Sequence, residues 1–198
     1  MATIQRGEPA PDFIMPTMDG RDIRLSNYRG KKVLLTFFRY ATCPFCTIRF
    51  ARLSQEVQRY SELGIEVIGV FESSHETIQK YLSRRGLPFT VIHDQEGKLY
   101  ARYGVRKSVP GLLFGMFRMP TLLHALFDPE YHMAKPDGSI SRIPADFLIN
   151  EEQLIEDAYF GSDIGDHMPF ARIDSFAKKR LEKPVPLTDL MKLRLQER

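Results

Sequence analysis

The stretch that decides the fold runs from residue 33 to residue 46 and reads Val33-Leu34-Leu35-Thr36-Phe37-Phe38-Arg39-Tyr40-Ala41-Thr42-Cys43-Pro44-Phe45-Cys46. Its first half is a continuous apolar run, which is typical of a strand buried on both faces. Its end places Cys43 and Cys46, the two cysteines of the chain, where this strand gives way to a helix. A helix N-terminus offers unpaired N–H groups and a partial positive charge, so a thiolate there is stabilised and its pKa falls. The spacing therefore predicts a dithiol that cycles with a disulfide.

Two other roles are open to such a cysteine pair. Free cysteine is among the most buried residue types, so Cys43 and Cys46 could be inert core residues. A structural zinc ion needs about four ligands, but no third cysteine exists and the histidines at positions 75, 93, 124, 132 and 167 lack ligand spacing. We therefore expect redox chemistry carried by sulfur alone, with no metal and no organic cofactor.

The composition is that of an ordinary globular protein. The chain has 198 residues, of which 43% are hydrophobic and 27% are charged, and its net charge is +3. This length suffices for one domain with a sizeable core. So small a net charge gives no support for nucleic-acid binding.

No segment has the properties of a secretory signal or of a membrane span. The longest apolar stretch, residues 112–127, is shorter than the roughly 20 residues that a spanning helix needs, and Arg118, Pro120 and His124 interrupt it. We therefore expect a cytoplasmic protein. In that reducing compartment a cysteine pair is more often catalytic than structural.

Hydrophobic patterning and turn residues predict an α/β fold with a parallel-rich sheet and helices on both faces. An N-terminal hairpin is expected to turn at Asp19-Gly20, and the helix after the cysteines is expected to end at Gly64, where a C-terminal cap belongs. The predicted strands are residues 33–38, 65–71, 89–93, 145–149 and 154–160. The other predicted helices are one opened by a capping box at residues 73–76 and ended at Gly86, one over residues 98–103, and one from Pro169 to about Leu181.

The regular pattern pauses between about residues 105 and 143. We interpret this part as an apolar helical insertion in a domain of residues 1–182, followed by a C-terminal helical tail of residues 183–198. Residues 112–127 contain two methionines, three phenylalanines and five leucines, which is too much apolar surface to leave exposed. The insertion is therefore expected either to cover the redox site or to form a homodimer interface.

Four short segments, in their order and spacing, carry a resemblance to a known family. They are Gly7-Glu8-Pro9-Ala10-Pro11-Asp12-Phe13, Asp19-Gly20, Leu25-Ser26-Asn27-Tyr28-Arg29-Gly30-Lys31 and Arg142-Ile143-Pro144-Ala145-Asp146-Phe147-Leu148-Ile149. With the strand that leads into the cysteines, they resemble the peroxiredoxin superfamily, which includes alkyl hydroperoxide reductase and thiol-specific antioxidant. The resemblance covers roughly residues 7–160. It implies a thioredoxin-like fold with a peroxiredoxin-type N-terminal extension and a thiol-dependent peroxidase activity.

The cysteine motif departs from the family pattern Pro-x-x-x-Thr-x-x-Cys, in which the last residue attacks the peroxide. Arg39 stands in the place of the proline and Cys43 in the place of the threonine, so Cys46 occupies the peroxidatic register. The sequence Cys43-Pro44-Phe45-Cys46 also resembles the motif of glutaredoxins, in which the first cysteine attacks. Either sulfur is therefore a candidate nucleophile.

Four further residues are candidates for the site: Arg142 for catalysis, and Thr42, Pro144 and Arg39 for contact with the substrate. Arg142 resembles an arginine that peroxiredoxins direct at the thiolate, where it would lower the sulfur's pKa and polarise a peroxide oxygen. Pro144 precedes the late strand at the place where thioredoxin-fold proteins carry a cis-proline that faces the cysteines. Arg39 could act on a sulfur or pair with a carboxylate, and Thr42 could hydrogen-bond a sulfur or cap the helix. Each of the four could also have a purely structural role.

Three functions follow from these features. The first is a thiol peroxidase that passes electrons from a thioredoxin-type or glutathione-type reductant to a peroxide. The second is a glutaredoxin-like disulfide reductase, which the Cys-Pro-Phe-Cys motif favours. The third is a binding module that has kept the fold without the chemistry and uses the insertion as its interaction surface.

Overall fold

A mixed five-stranded sheet organises the chain, and its strand order is β5-β4-β3-β6-β7. The computed structural model describes residues 4–83, 86–116 and 135–179. The strands of this sheet are β3 (Lys32–Phe37), β4 (Ile65–Phe71), β5 (Thr90–His93), β6 (Ala145–Ile149) and β7 (Ile155–Phe160), and a separate hairpin is formed by β1 (Ile14–Pro16) and β2 (Asp22–Arg24). The helices are α1 (Pro44–Glu62), α2 (His75–Tyr81), α3 (Lys98–Arg102), α4 (Val109–Met116) and α5 (Phe170–Lys178), with a 3₁₀ turn at Leu25–Tyr28.

Strand β3 lies at the centre of the sheet and sets the position of the cysteines. It pairs in parallel with β4 and antiparallel with β6, while β4 pairs in parallel with β5 and β6 antiparallel with β7. Every residue of β3 is buried, because α1 and α5 cover one face of the sheet and α3 covers the other. A central strand buried on both faces explains its continuous apolar sequence. The chain leaves this strand directly into the cysteine motif.

Most predicted elements are confirmed, and several of their ends are corrected. Strands β4 and β6 have the predicted bounds, and Gly64 follows α1 with φ +78°, as a C-terminal glycine cap requires. Helix α2 ends at Tyr81 instead of Gly86, and its N-cap is Ser74, whose hydroxyl accepts from the Thr77 N–H. Pro169 is the N-cap of α5 and not a residue of its first turn.

The described part of the predicted insertion contains α4. Its Gly111 and Gly115 approach Ile143 and Ile164 so closely that an added Cβ would lie 2.7 Å and 2.1 Å from their side chains. The remainder of the insertion from residue 117 to residue 134 and the predicted tail, residues 183–198, lie outside the described residues. In the ranges that are described, no helix is long and apolar enough to cross a membrane.

Candidate redox site

The cysteine motif lies at the start of α1, at the end of the sheet where β3 stops. Cys43 is the N-cap, with extended backbone angles, and Pro44 occupies the first helical position. The Cys43 carbonyl accepts from the Thr47 N–H at 3.0 Å and so begins the helical hydrogen bonding. Proline fits here because its missing N–H would have no partner in the first turn. Cys46 lies one turn further along, and the two sulfurs are not joined in a disulfide.

Arg39 bridges the two sulfurs from the end of β3. Its Nη1 donates to the Cys43 Sγ at 3.0 Å, and its backbone N–H donates to the Cys46 Sγ at 3.3 Å. Its Nη2 donates to the carbonyl oxygen of Ile140. Only 2% of the Arg39 surface is exposed, so its charge acts on the sulfurs with little screening by water.

The two thiols have very different acidities because of this arrangement. Burial alone would raise the pKa of Cys43, but hydrogen bonding from the Cys46 thiol, the Arg39 charge and the N–H groups of Cys46 and Phe45 lower it to about 6. Burial and the neighbouring Cys43 sulfur raise the pKa of Cys46 well above its usual range. Near neutral pH the pair therefore holds one thiolate, on Cys43, and one thiol, on Cys46, which donates a hydrogen bond to it.

The position of Cys43 before the helix predicts that it is the more exposed of the two cysteines, but both are buried. The exposed fraction is 0% for Cys43 and 1% for Cys46. Both side chains belong to a hydrophobic cluster that includes Phe45, Ile143 and Ile164. Cys43 is buried although it precedes the helix, because the segment before β6 and the loop after β7 pack over this end of the sheet.

Arg142 contacts a carboxylate and not a sulfur. Its Nε and Nη2 donate to Glu72 at 3.0 and 2.7 Å, and its Nη1 donates to the Val105 carbonyl at 2.7 Å. Its guanidinium carbon also lies 4.6 Å from the centre of the Tyr100 ring. The arginine that the structure brings to the cysteine pair is Arg39, and a role for Arg142 in the chemistry stays a prediction.

One expectation for Pro144 and one for Thr42 are not met. All peptide bonds of the described residues are trans, so the expected cis bond before Pro144 is wrong. Pro144 is buried directly before β6, and its carbonyl accepts from the Gly161 N–H at 3.0 Å. A trans proline suits the first position of a strand, where its missing N–H interrupts no ladder. Thr42 is buried, but the N-cap is Cys43; contact of Thr42 with substrate stays a prediction.

A second polar cluster lies beside the cysteines and was not predicted. The Asp146 carboxylate is fully buried and accepts from the Thr36 hydroxyl, from His167 Nδ1 at 3.0 Å and from the Met168 N–H at 2.7 Å. Burial would raise the pKa of Asp146, but the nearby His167 and Arg49 outweigh it and lower the pKa to about 2. The sequence does contain one signal of this cluster, which is Asp146, an acidic residue inside an otherwise apolar strand.

A bound metal has no ready-made site in the residues that are described. No group of three or more histidine, cysteine or acidic side chains in those ranges is placed to hold a metal ion. The charged and reactive groups that the structure places at the site are a thiolate, a thiol and a buried guanidinium.

Comparisons with known proteins find relatives of this chain in sequence and in fold. The chain is 27% identical over 150 residues to peroxiredoxin Bcp of Escherichia coli K12, an alignment that covers 74% of this chain and 89% of that protein. Two solved structures share the fold. Peroxidoxin BcpB of Mycobacterium tuberculosis aligns with a TM-score of 0.61 and 17% identity over 88% of this chain and 94% of that one. A cysteine variant of PrxQ from Xylella fastidiosa aligns with a TM-score of 0.64 and 13% identity over 90% of this chain and 96% of that one.

These findings confirm the predicted thioredoxin-like fold and the predicted peroxiredoxin-like relationship. The sequence profile described as the AhpC/TSA family matches residues 6–158. That range includes the N-terminal hairpin, the cysteine motif, β6 and most of β7. The chain belongs to the AhpC/TSA family.

Proposed function

We propose that the chain is a thiol-dependent peroxidase in which Cys43 attacks the peroxide and Cys46 resolves the product. The observation that carries this proposal is the 3.0 Å contact between Arg39 Nη1 and the Cys43 Sγ at the start of α1. A thiolate at such a position is both formed at neutral pH and held beside a cation. Membership of the AhpC/TSA family and the naming of a relative as peroxiredoxin Bcp support peroxide as the oxidant.

The reaction has two sulfur-centred steps. The Cys43 thiolate attacks one peroxide oxygen, the O–O bond breaks, and the second oxygen leaves as an alcohol or water after taking a proton. Cys43 is then a sulfenic acid. The Cys46 sulfur attacks the Cys43 sulfur, hydroxide leaves and is protonated to water, and a disulfide forms. A thiol reductant then returns two electrons to the disulfide and restores both thiols.

Arg39 has two tasks in this scheme. Its charge favours the thiolate form of Cys43 before the reaction. A guanidinium beside the reacting sulfur can also donate a hydrogen bond to the peroxide oxygen on which negative charge develops. We further propose that the cycle takes place in the cytoplasm with a thioredoxin-type or glutathione-type reductant, because the disulfide must be reduced after each turnover.

Single-cysteine variants test which sulfur attacks. In Cys46→Ser, the remaining Cys43 is expected to react rapidly with hydrogen peroxide in stopped-flow experiments at pH 7 and to yield a sulfenic acid that a dimedone probe traps. In Cys43→Ser, oxidation of Cys46 is expected to be slow, because its pKa is raised by burial. The opposite ranking would assign the attack to Cys46, the residue in the family's peroxidatic register.

A second candidate function is disulfide exchange. The observation that favours it is the helical motif itself, in which Cys43 precedes Pro44 as N-cap and has a pKa of about 6. A comparison of the rates at which the reduced protein reacts with hydrogen peroxide and with a small disulfide such as hydroxyethyl disulfide separates the two functions. The peroxidase proposal requires the peroxide reaction to be the faster one at equal concentration.

A homodimer stays part of the proposal. Val109, Leu113 and Phe114 of α4 are 64%, 55% and 70% exposed, respectively. These side chains form an apolar surface that a second copy of the chain could cover.

A further inference from the structure

A cavity of about 260 Å³ opens beside the first turns of α1. Its lining includes Phe45, Ile48, Arg49, Arg52, Met168 and Phe170. Phe45 stands between the two cysteines in the motif, so the cavity adjoins the motif, although neither sulfur is part of its lining. Phe45, Arg49 and Arg52 follow one another at intervals of four and three residues and therefore share one face of α1.

Arg49 is the unusual member of this lining. Its exposed fraction is 9%, and its Nε and Nη2 are buried without a hydrogen-bond partner among the described residues. Its guanidinium carbon lies 4.2 Å from the centre of the Phe170 ring, which supports the flat face of the group but leaves its N–H groups without an acceptor. Buried donors without acceptors are costly, so a ligand that accepts from them would be bound favourably.

The nearby carboxylate does not supply that acceptor. Asp146 contributes a favourable charge to Arg49, but its described hydrogen bonds come from Thr36, His167 and Met168. Arg52 is exposed at the edge of the cavity and adds a second positive charge. Two guanidinium groups against one buried carboxylate leave the cavity positive.

The dimensions limit what can bind. A water molecule takes about 30 Å³ of liquid volume, so 260 Å³ accommodates a small anionic group with a short stem. A guanidinium group can pair with a planar carboxylate through two parallel hydrogen bonds, and Ile48, Met168 and Phe170 provide apolar walls for a carbon stem. Arg49 follows Cys43 by six residues, which is about 9 Å along a helix axis. A molecule with its carboxylate at Arg49 and a stem of about this length could therefore extend along α1 as far as the cysteine motif.

We propose that this cavity binds the carboxylate of a molecule that reacts with the Cys43–Cys46 pair. The inference rests on the proposed function and adds to it the chemical class of one reaction partner. That partner is either an organic hydroperoxide that carries a carboxylate or a small thiol reductant that carries one.

Paired acids and esters distinguish these two sources. In the oxidant arm, stopped-flow oxidation of the reduced protein is measured with a fatty-acid hydroperoxide and with its methyl ester. In the reductant arm, reduction of the Cys43–Cys46 disulfide is measured with 3-mercaptopropionate and with its methyl ester. Each rate is divided by that of the parent protein, so that the intrinsic reactivity of each compound cancels.

The variants are Arg49→Met, Arg52→Gln and the control Arg29→Gln, which removes an exposed charge outside the cavity. Arg52 is exposed, so its variant tests the proposal even if Arg49→Met does not fold. In one of the two arms we expect both cavity variants to lose about tenfold or more with the acid and to keep the parent rate with the ester. The control is expected to match the parent throughout.

The arm that shows this loss identifies the source of the carboxylate. Equal effects on acid and ester, or no effect in either arm, would overturn the proposal. Failure of the proposed peroxidase function is a separate result, in which the parent itself does not react with peroxide. The reductant arm remains available in that case, because the disulfide can be formed with diamide.

Discussion

Arg39 Nη1 donates a hydrogen bond to the Cys43 Sγ at 3.0 Å, and the backbone N–H of the same residue donates to the Cys46 Sγ. One residue at the end of the central strand therefore contacts both redox sulfurs. We expect this contact to be well ordered. Arg39 follows β3, which is held between two neighbouring strands, and its own side chain is buried. This relationship determines most of what we expect of the site.

Replacement of Arg39 should slow the reaction of Cys43. In Arg39→Gln the charge that favours the thiolate is lost, so the pKa of Cys43 should rise toward the ordinary value near 8.5. A pKa of about 6 gives a thiolate fraction of about nine-tenths at pH 7. Loss of the Arg39 charge should lower this fraction, although the hydrogen bond from Cys46 stays, and the rate of thiol oxidation by hydrogen peroxide should fall several-fold. Stopped-flow oxidation measures this rate, and circular dichroism checks that the variant is folded. An unchanged rate in a folded variant would remove Arg39 from the mechanism.

The alkylation rate of the reduced protein should depend on pH with a midpoint near the pKa of Cys43, which is about 6. Only the thiolate reacts with iodoacetamide, so the rate should rise as the pH increases through 6 and level off above pH 7. In Arg39→Gln the same profile should move to higher pH. The measurement is the loss of free thiol with time between pH 4 and pH 9, with mass spectrometry to identify Cys43 as the alkylated residue. A midpoint near pH 8.5 in the parent would show that Cys43 is an ordinary thiol.

The sequence determined the fold more completely than the site. Strands β4 and β6 were predicted with the observed bounds because each is a short apolar run between polar turn residues. The predicted end of α2 lies five residues too far along, because Gly86 is a strong helix-ending signal while the helix already ends at Tyr81. Local signals predict where a strand lies, but several of them compete for the end of a short helix.

The identity of the arginine at the sulfur could not be read from the sequence. Arg142 pairs with Glu72, which is 70 residues away along the chain, and nothing in the sequence pattern associates these two residues. Arg39 is four residues from Cys43 and is a candidate from the sequence alone. The sequence does not show whether Arg39 contacts a sulfur or pairs with a carboxylate, as Arg142 does. Side chains this long can reach several partners, so the choice depends on tertiary packing. The two unpartnered N–H groups of Arg49 are also a property of packing.

The Glu72–Arg142 pair should stabilise the fold more than it serves the chemistry. Both side chains are 8% exposed and their atoms approach to 2.7 Å. Loss of one partner from a buried ion pair leaves an uncompensated charge and costs about 3–5 kcal/mol, so Glu72→Gln should lower the free energy of unfolding in urea by an amount in this range. Glu72→Gln combined with Arg142→Met should recover part of that loss. If Arg142→Met instead abolishes peroxide reactivity while it leaves the unfolding free energy unchanged, the residue acts on the substrate.

The last prediction concerns the two faces of α4. Gly111 and Gly115 lie against Ile143 and Ile164 in the described structure, so this face is already packed, while Leu113 and Phe114 on the helix are 55% and 70% exposed. Phe114→Asp should therefore leave the fold intact and act only on whatever covers the exposed face. A dimer interface would be weakened, which sedimentation or light scattering would show as dissociation. A cover over the redox site would be loosened, which would change the relative rates with bulky and small peroxides.

Gly115→Ala is the matched variant for the packed face of α4. Its Cβ would lie 2.1 Å from the Ile164 side chain, so this substitution should lower the stability of the fold without either of these effects. If Phe114→Asp changes neither the oligomeric state nor the preference among peroxides, the exposed face of α4 has no partner in this protein.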